Sequence, residues 1–150
     1  MREPISISVF LYREINNSRN YLLFKRVASP ELALSDFWQS ITGGKESGES
    51  LENSVLREVL EESGISLTNI SQSVFQYEYP IKPEWYSKYP KSASTIKEFV
   101  FAASINSDPI LSSEHSEFGW FSFEKAKSLL GFDSSIKALC AVEPSLNAKQ

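Results

Sequence analysis

Residues 5–12 alternate apolar and small polar side chains, Ile5-Ser6-Ile7-Ser8-Val9, and then turn aromatic at Phe10-Leu11-Tyr12. Period-two alternation of this kind predicts a half-buried strand. The same reading predicts strands over 21–27, 37–42, 70–79, 98–105 and 119–121. The first two flank Asn16-Asn17-Ser18-Arg19-Asn20, whose composition suits a hairpin turn. Helical spacing of apolar residues predicts helices over about 50–63, 123–130 and 134–141. Strands interleaved with one central helix and two late ones predict an α/β fold, a mixed central sheet covered on both faces. No internal repeat or linker divides the chain, so one domain over 1–150 is expected, with a polar, frayed tail from about 143.

The central helix is the most distinctive element. Ser50 is a good N-cap, Glu52 places negative charge in the first turn, and Gly64 supplies a left-handed stop. Leu51, Val55, Leu56, Val59 and Leu60 are expected to pack on the core. Glu58, Glu61 and Glu62 stand at i, i+3 and i+4, within an arc of roughly 100°. Arg57 is the only basic residue between Ser50 and Ser63 to offset them. Read alone, this is either a solvated acidic face or a set of hard oxygen ligands suited to Mg²⁺ or Mn²⁺.

The wider spacing decides between them. Gly43, Glu49, Arg57-Glu58-Val59, Glu61-Glu62 and Gly64-Ile65 occupy the fixed positions of GX5EX7REUXEEXGU, with U aliphatic. This pattern resembles the box of the Nudix hydrolases, which cleave a nucleoside diphosphate linked to another moiety. The resemblance implies an α/β/α sandwich with a loop–helix–loop. In it the Gly43 carbonyl, Glu58, Glu61 and Glu62 bind metal or activate water, and Arg57 pairs with Glu49 to orient the cluster. It leaves open whether the general base is Glu58 or an acid from a later loop. Glu114, in the polar run Ser112-Ser113-Glu114-His115-Ser116-Glu117, is the candidate for the latter, ahead of Glu117. His115, the sole histidine, is expected to be structural rather than a ligand.

Composition narrows the partners. A formal net charge of −4 argues against a nucleic-acid polymer, which calls for a basic stripe. A polyphosphate remains compatible when metal supplies the positive charge. Cys140 is the sole cysteine, so neither an internal disulfide nor a zinc cluster can form, and a buried structural thiol is expected. No apolar run approaches membrane-spanning length and no signal-peptide layout is present, which fits a reducing cytoplasm and no membrane partner. Oligomeric state is left open.

Asp36-Phe37-Trp38-Gln39-Ser40-Ile41-Thr42-Gly43 is similar to the segment leading into the box of bacterial dihydroneopterin triphosphate pyrophosphohydrolases. Leu23-Phe24-Lys25-Arg26, Glu114-His115 and Trp120 extend the similarity. It implies a Mg²⁺-dependent enzyme of folate biosynthesis that releases pyrophosphate from dihydroneopterin triphosphate or a related nucleoside triphosphate. The alternatives are another Nudix nucleotide hydrolase, acting on dATP, oxidised nucleotides or dinucleoside polyphosphates, and a non-catalytic nucleotide-binding regulator. Arg26, Lys25, Trp38 and Lys97 are the candidate substrate contacts, with Lys25 and Arg26 alternating across a strand so that at most one faces the site. The segment from Tyr79 to Lys97 is rich in aromatics, lysines and prolines. It is expected to be a shaped loop that either stacks on a heterocycle or covers the sheet edge.

Overall fold

The computed structural model describes residues 2–27 and 37–147. Seven strands are present among them: β1 (Ile5–Ile15), β2 (Ser18–Arg26), β3 (Phe37–Gln39), β4 (Ile41–Gly44), β5 (Ser71–Pro80), β6 (Thr95–Ser104) and β7 (His115–Ser122). The helices are α1 (Leu51–Ser63), α2 (Phe123–Leu129) and α3 (Asp133–Asn147), with a short 3-10 segment at Pro83–Lys88. Asp36 of the expected 37–42 strand's lead-in lies outside the described residues.

β1 and β2 form a hairpin whose turn is Asn16-Asn17, with φ of 54° and 63°. Two consecutive positive φ values give a turn whose twist matches that of the strands, and asparagine tolerates that conformation. The strands therefore run closer to the turn than their apolar pattern predicted. Along its other edge β1 pairs in parallel with β6, which pairs antiparallel with β5. β2 pairs antiparallel with β7.

The segment after residue 36 is two strands rather than the one expected. β3 pairs with β2 through Phe24 opposite Gln39, and β4 pairs with β1 through Val9 opposite Ile41. The break falls at Ser40, which is buried, and its Oγ lies 2.8 Å from Ser8 Oγ. One segment thus fills the gap where β1 and β2 diverge. That transfer places Gly43 and Gly44 at the end of β4, just ahead of the loop that leads into α1.

Alternation along β1 assigns the two faces. Ile7, Val9 and Leu11 join Val55 and Val59 of α1 in one core cluster. Phe10 joins Ala138, Leu139 and Val142 of α3 in a second. The result is the expected α/β/α sandwich with a mixed sheet. Leu56 and Leu60 do not pack as predicted; they are 38% and 52% exposed. The buried stripe of α1 runs through Val55, Val59, Glu62 and Ser63, which turns these two leucines outward. The expected fraying is also corrected over 143–147, and residues 148–150 lie outside the described residues. α3 continues to Asn147, Leu146 is buried, and Glu143 accepts hydrogen bonds from Arg19 and from Tyr21 Oη. Cys140 is half-buried rather than buried.

The segment from Tyr79 to Lys97 is less loop-like than predicted, because β5 reaches Pro80 and β6 begins at Thr95. Between them Ile81, Tyr89 and Ile96 form a small third cluster, against which Tyr79 and Trp85 pack. The aromatics mostly build their own core rather than an open platform. Beside it lies Glu98, 5% exposed, whose Oε1 accepts from Ser6 Oγ at 2.8 Å. Burial raises its carboxyl to about 7, against an ordinary 4.5, with the Ser6 bond pulling modestly the other way.

Because the folded state binds this proton more tightly than the unfolded chain, Glu98 is without penalty below its ordinary value of 4.5. The penalty grows as pH rises to about 7 and is constant beyond. Glu98→Gln should therefore stabilise the protein by about 1–3 kcal/mol at pH 8 and have little effect at pH 4. Urea unfolding at the two pH values measures the difference; equal effects at both would show that the carboxyl's ionisation is not what matters.

Candidate active site

α1 starts and stops as its sequence directs. Ser50 Oγ accepts from Asn53 N–H at 3.1 Å, and Gly64, at φ 72°, donates its N–H to the Leu60 carbonyl. The helix therefore presents Arg57, Glu58, Glu61 and Glu62 in fixed phase.

Arg57 is the hub. Its Nε and Nη2 donate to the two oxygens of Glu49 at 2.7 and 3.0 Å, a two-point contact. Nη2 also donates to the Gly44 carbonyl at 2.9 Å, and Nη1 to Glu58 Oε1 at 2.8 Å. Glu61 Oε2 lies 3.5 Å from Nη1. The Arg57 hydrogen bonds lower the Glu49 carboxyl to about 2, assisted by Ser54 Oγ at 2.8 Å. One guanidinium thus ties the loop, the strand end and the helix together.

Glu58 packs on Gly43. A Cβ built on that glycine would fall 2.1 Å from the Glu58 carboxyl carbon, so only glycine lets the carboxyl approach the strand this closely. Burial pushes Glu58 up to about 7, outweighing Arg57, and Glu61 and Glu62 add to the rise.

Glu62 is held from outside the box. Ser112 Oγ donates to its Oε2 at 2.8 Å, and His115 Nδ1 stands 3.3 Å from the same oxygen. That approach does not have hydrogen-bond geometry, and Nδ1 is buried without a hydrogen bond. Burial raises Glu62, with Glu114 contributing, and burial keeps His115 below its usual range and hence neutral. Arg26 Nη1 lies 3.7 Å from Glu114 Oε2 at the exposed rim.

Of the expected contacts, Arg26 and Glu114 are brought to the box. Lys97 lies over the Phe99 ring, 5.5 Å from its centroid, and Phe99 packs in the α1-side core, so Lys97 shares that face. Lys25 and Trp38 pair across β2 and β3 and point to the other face. There Trp38 sits edge-on to Phe121 and Lys25 lies 3.5 Å from Glu117. Ser112 and Gln39 were missed as site residues. Gln39 was visible only as part of the Phe-Trp-Gln-Ser run, and nothing in the sequence signals that it meets His115.

The donor chemistry suits a hard divalent cation. Glu49, Glu58 and Glu61 lie against Arg57 and Glu114 lies against Arg26, while Glu62 feels the charges of Glu114, Arg26 and Glu61. The Gly43 backbone lies against Glu58. Among the described residues no three acidic, imidazole or thiol groups are gathered closely enough to chelate; Arg57 engages Glu58 and Ser112 engages Glu62.

A NUDIX domain model matches residues 3–140. The chain belongs to the Nudix family. Dihydroneopterin triphosphate diphosphatase of Haemophilus influenzae is 30% identical over 140 residues, covering 89% of this chain and 84% of that protein. A Nudix hydrolase structure from Listeria monocytogenes superposes with a TM-score of 0.82 at 24% identity, covering 97% of this chain and 96% of that one. The E. coli dihydroneopterin triphosphate pyrophosphohydrolase structure gives 0.76 at 23% identity, covering 96% and 97%. The Nudix assignment makes the protein a hydrolase of phosphoanhydride bonds, in a family that generally uses divalent metal ions. No helix among the described residues is long and apolar enough to cross a membrane.

If Arg57 is the hub of this Nudix box, Arg57→Lys should destabilise the protein by about 1–3 kcal/mol at pH 7, since a lysine cannot make the two-point contact and reach Gly44 as well. The part carried by Glu49 is complete above 4.5 and is lost as pH falls towards about 2, so the gap between variant and wild type should narrow over that window. Urea melts at pH 7 and pH 3 test this; equal stability at pH 7 would remove Arg57 from the centre of the box.

Proposed function

We propose that the protein is a Mg²⁺-dependent pyrophosphohydrolase that converts dihydroneopterin triphosphate to the monophosphate and pyrophosphate, with Mn²⁺ able to substitute. The observation that carries the reading is the acid-rich cluster around Glu58 and Glu62, packed on Gly43 and short of positive charge. The Phe37-Trp38-Gln39-Ser40 run and the 30% identity to a dihydroneopterin triphosphate diphosphatase support the substrate.

The Gly43 carbonyl, Glu58, Glu61 and Glu62 are the groups that would hold the cation. When bound, a divalent cation supplies neutralising charge for the phosphates and makes the attacking water more acidic. The protein's own groups do the rest. Glu58, pressed on Gly43 and hydrogen-bonded to Arg57, is the first candidate to accept the proton of the attacking water. Glu114, exposed at the rim beside Arg26, is the second candidate for that proton. Arg57 ties Glu49 to the Gly44 carbonyl and so fixes the end of β4, where Gly43 lies. Arg26 and Lys97, on the box side of the sheet, are assigned to the triphosphate.

Glu61→Gln and Glu62→Gln should each lower kcat by about two orders of magnitude or more without loss of fold, because each removes a ligand charge and opens no cavity. Glu114→Gln should lower kcat with KM nearly unchanged if Glu114 accepts the proton; an unchanged rate assigns that step to Glu58. A panel of triphosphates in Mg²⁺, with phosphate and pyrophosphate measured separately, tests the substrate. Dihydroneopterin triphosphate should show the highest kcat/KM, with pyrophosphate as product. A nucleoside triphosphate or dinucleoside polyphosphate turned over at least about tenfold more efficiently would sink the pterin assignment.

A further inference from the structure

Gln39 and His115 are separated by 76 residues in sequence, yet Gln39 Nε2 lies 2.9 Å from His115 Nε2. Both side chains are buried, at 8% and 5% exposure. An amide nitrogen can only donate, so the ring nitrogen it faces must be the acceptor. The single proton of the neutral ring then sits on Nδ1, the atom 3.3 Å from Glu62 Oε2. A buried donor left without a proper bond costs about 1–3 kcal/mol, so its persistence beside Glu62 calls for a reason.

The backbone shows how the ring is brought there. Down to Lys25 opposite Glu117, β2 and β7 keep regular register, with Phe24 and Phe118 on the box face and Lys25 and Glu117 on the other. Unbroken alternation would put His115 on the face of Glu117. The register shifts after Lys25, so that Arg26 faces His115 and Ser116 is the extra residue. This bulge turns His115 to the box face, where Phe24 packs on its ring at 5.1 Å.

We propose that Gln39 and His115 are positioning residues for Glu62: the Gln39 amide selects the Nδ1–H form of His115, and that N–H, which faces Glu62 Oε2 at 3.3 Å without yet bonding to it, is placed to join Ser112 in holding Oε2 and so to leave Oε1 for a cation. The proposal rests on the reading of Glu62 as a ligand, but the tautomer can be tested without metal. It also gives the Phe-Trp-Gln-Ser run and the Glu-His pair a common physical purpose.

The chain has one histidine, so its imidazole nitrogen resonances are unambiguous. In metal-free wild-type protein, ¹⁵N NMR should show Nδ1 protonated and Nε2 bare. Gln39→Glu, which replaces the donor by an acceptor, should move the proton to Nε2. Mn²⁺ binding followed by calorimetry supplies the second measurement. His115→Asn places an amide donor near the position of Nδ1 and should bind Mn²⁺ within about threefold of wild type; His115→Gln places it near Nε2 and should bind about tenfold or more weakly. A general packing defect would not separate the two.

Protonated Nε2 in the wild type overturns the proposal. So does unaltered Mn²⁺ affinity in His115→Gln when Glu62→Gln weakens it. If Glu62→Gln binds Mn²⁺ like wild type, the ligand reading of Glu62 fails and the tautomer alone decides whether Gln39 sets the ring. Should either His115 variant fail to fold, Gln39→Glu decides: a switched tautomer with about tenfold weaker Mn²⁺ binding supports the proposal, and no change in either overturns it.

Discussion

Everything at the box depends on one cation having more anionic neighbours than it can neutralise. Arg57 satisfies Glu49 fully, through two parallel hydrogen bonds, and Glu58 and Glu61 only partly. Glu49 is left far below its ordinary range and Glu58 well above. The asymmetry follows from geometry. Glu49 meets the guanidinium edge-on with Ser54 in support, whereas Glu58 is pressed on Gly43 with one hydrogen bond and two acidic neighbours. The same residue therefore makes one carboxylate a permanent anchor and leaves another displaced towards neutral pH.

The sheet's irregularities serve this arrangement. Transfer of the 37–44 segment from β2 to β1 at Ser40 brings Gly43 under α1 while leaving Gln39 beside Phe24. The bulge after Lys25 turns His115 towards the same side. A regular sheet would place Gly43 and His115 differently with respect to Glu58 and Glu62. Each irregularity interrupts ladder pairing locally, and each lies next to the acidic cluster.

Much of this was legible in the chain. Ser50 and Gly64 bounded α1 to within a residue, and the spacing from Gly43 to Ile65 identified the acidic cluster. Period-two alternation located six strand segments, one of which is two strands, and misplaced their ends. Asn16-Asn17 allowed a tighter turn than five polar residues suggested, and Ser40 broke a strand through pairing with two different partners, which local pattern does not encode. Leu56 and Leu60 looked like core because helical periodicity gives the phase of a face but not its width. The contacts among Gln39, Ser112, His115 and Glu62 were not legible, since they depend on a bulge and on meetings far apart in sequence.

Glu58 and Glu98 show why a displaced carboxyl is not in itself a functional signature. Burial holds both at about 7. Glu98 has a hydroxyl, Ser6, as its hydrogen-bond partner within an aromatic and aliphatic surround, so its neutral form is accommodated by the fold. Glu58 lies against a guanidinium on one side and carboxyl groups on the other, so both of its protonation states have nearby charges to answer to. Adding positive charge beside Glu58 would draw its proton away, because the like-charge contribution of Glu61 and Glu62 would be offset at the same time. Among the described residues no carboxyl contributes to the displacement of Glu98, which is set by burial and Ser6 alone. What separates a site from a strained core residue is thus the company each carboxyl keeps, and of these two carboxyls Glu58 is the one with acidic neighbours whose repulsion an added cation would relieve.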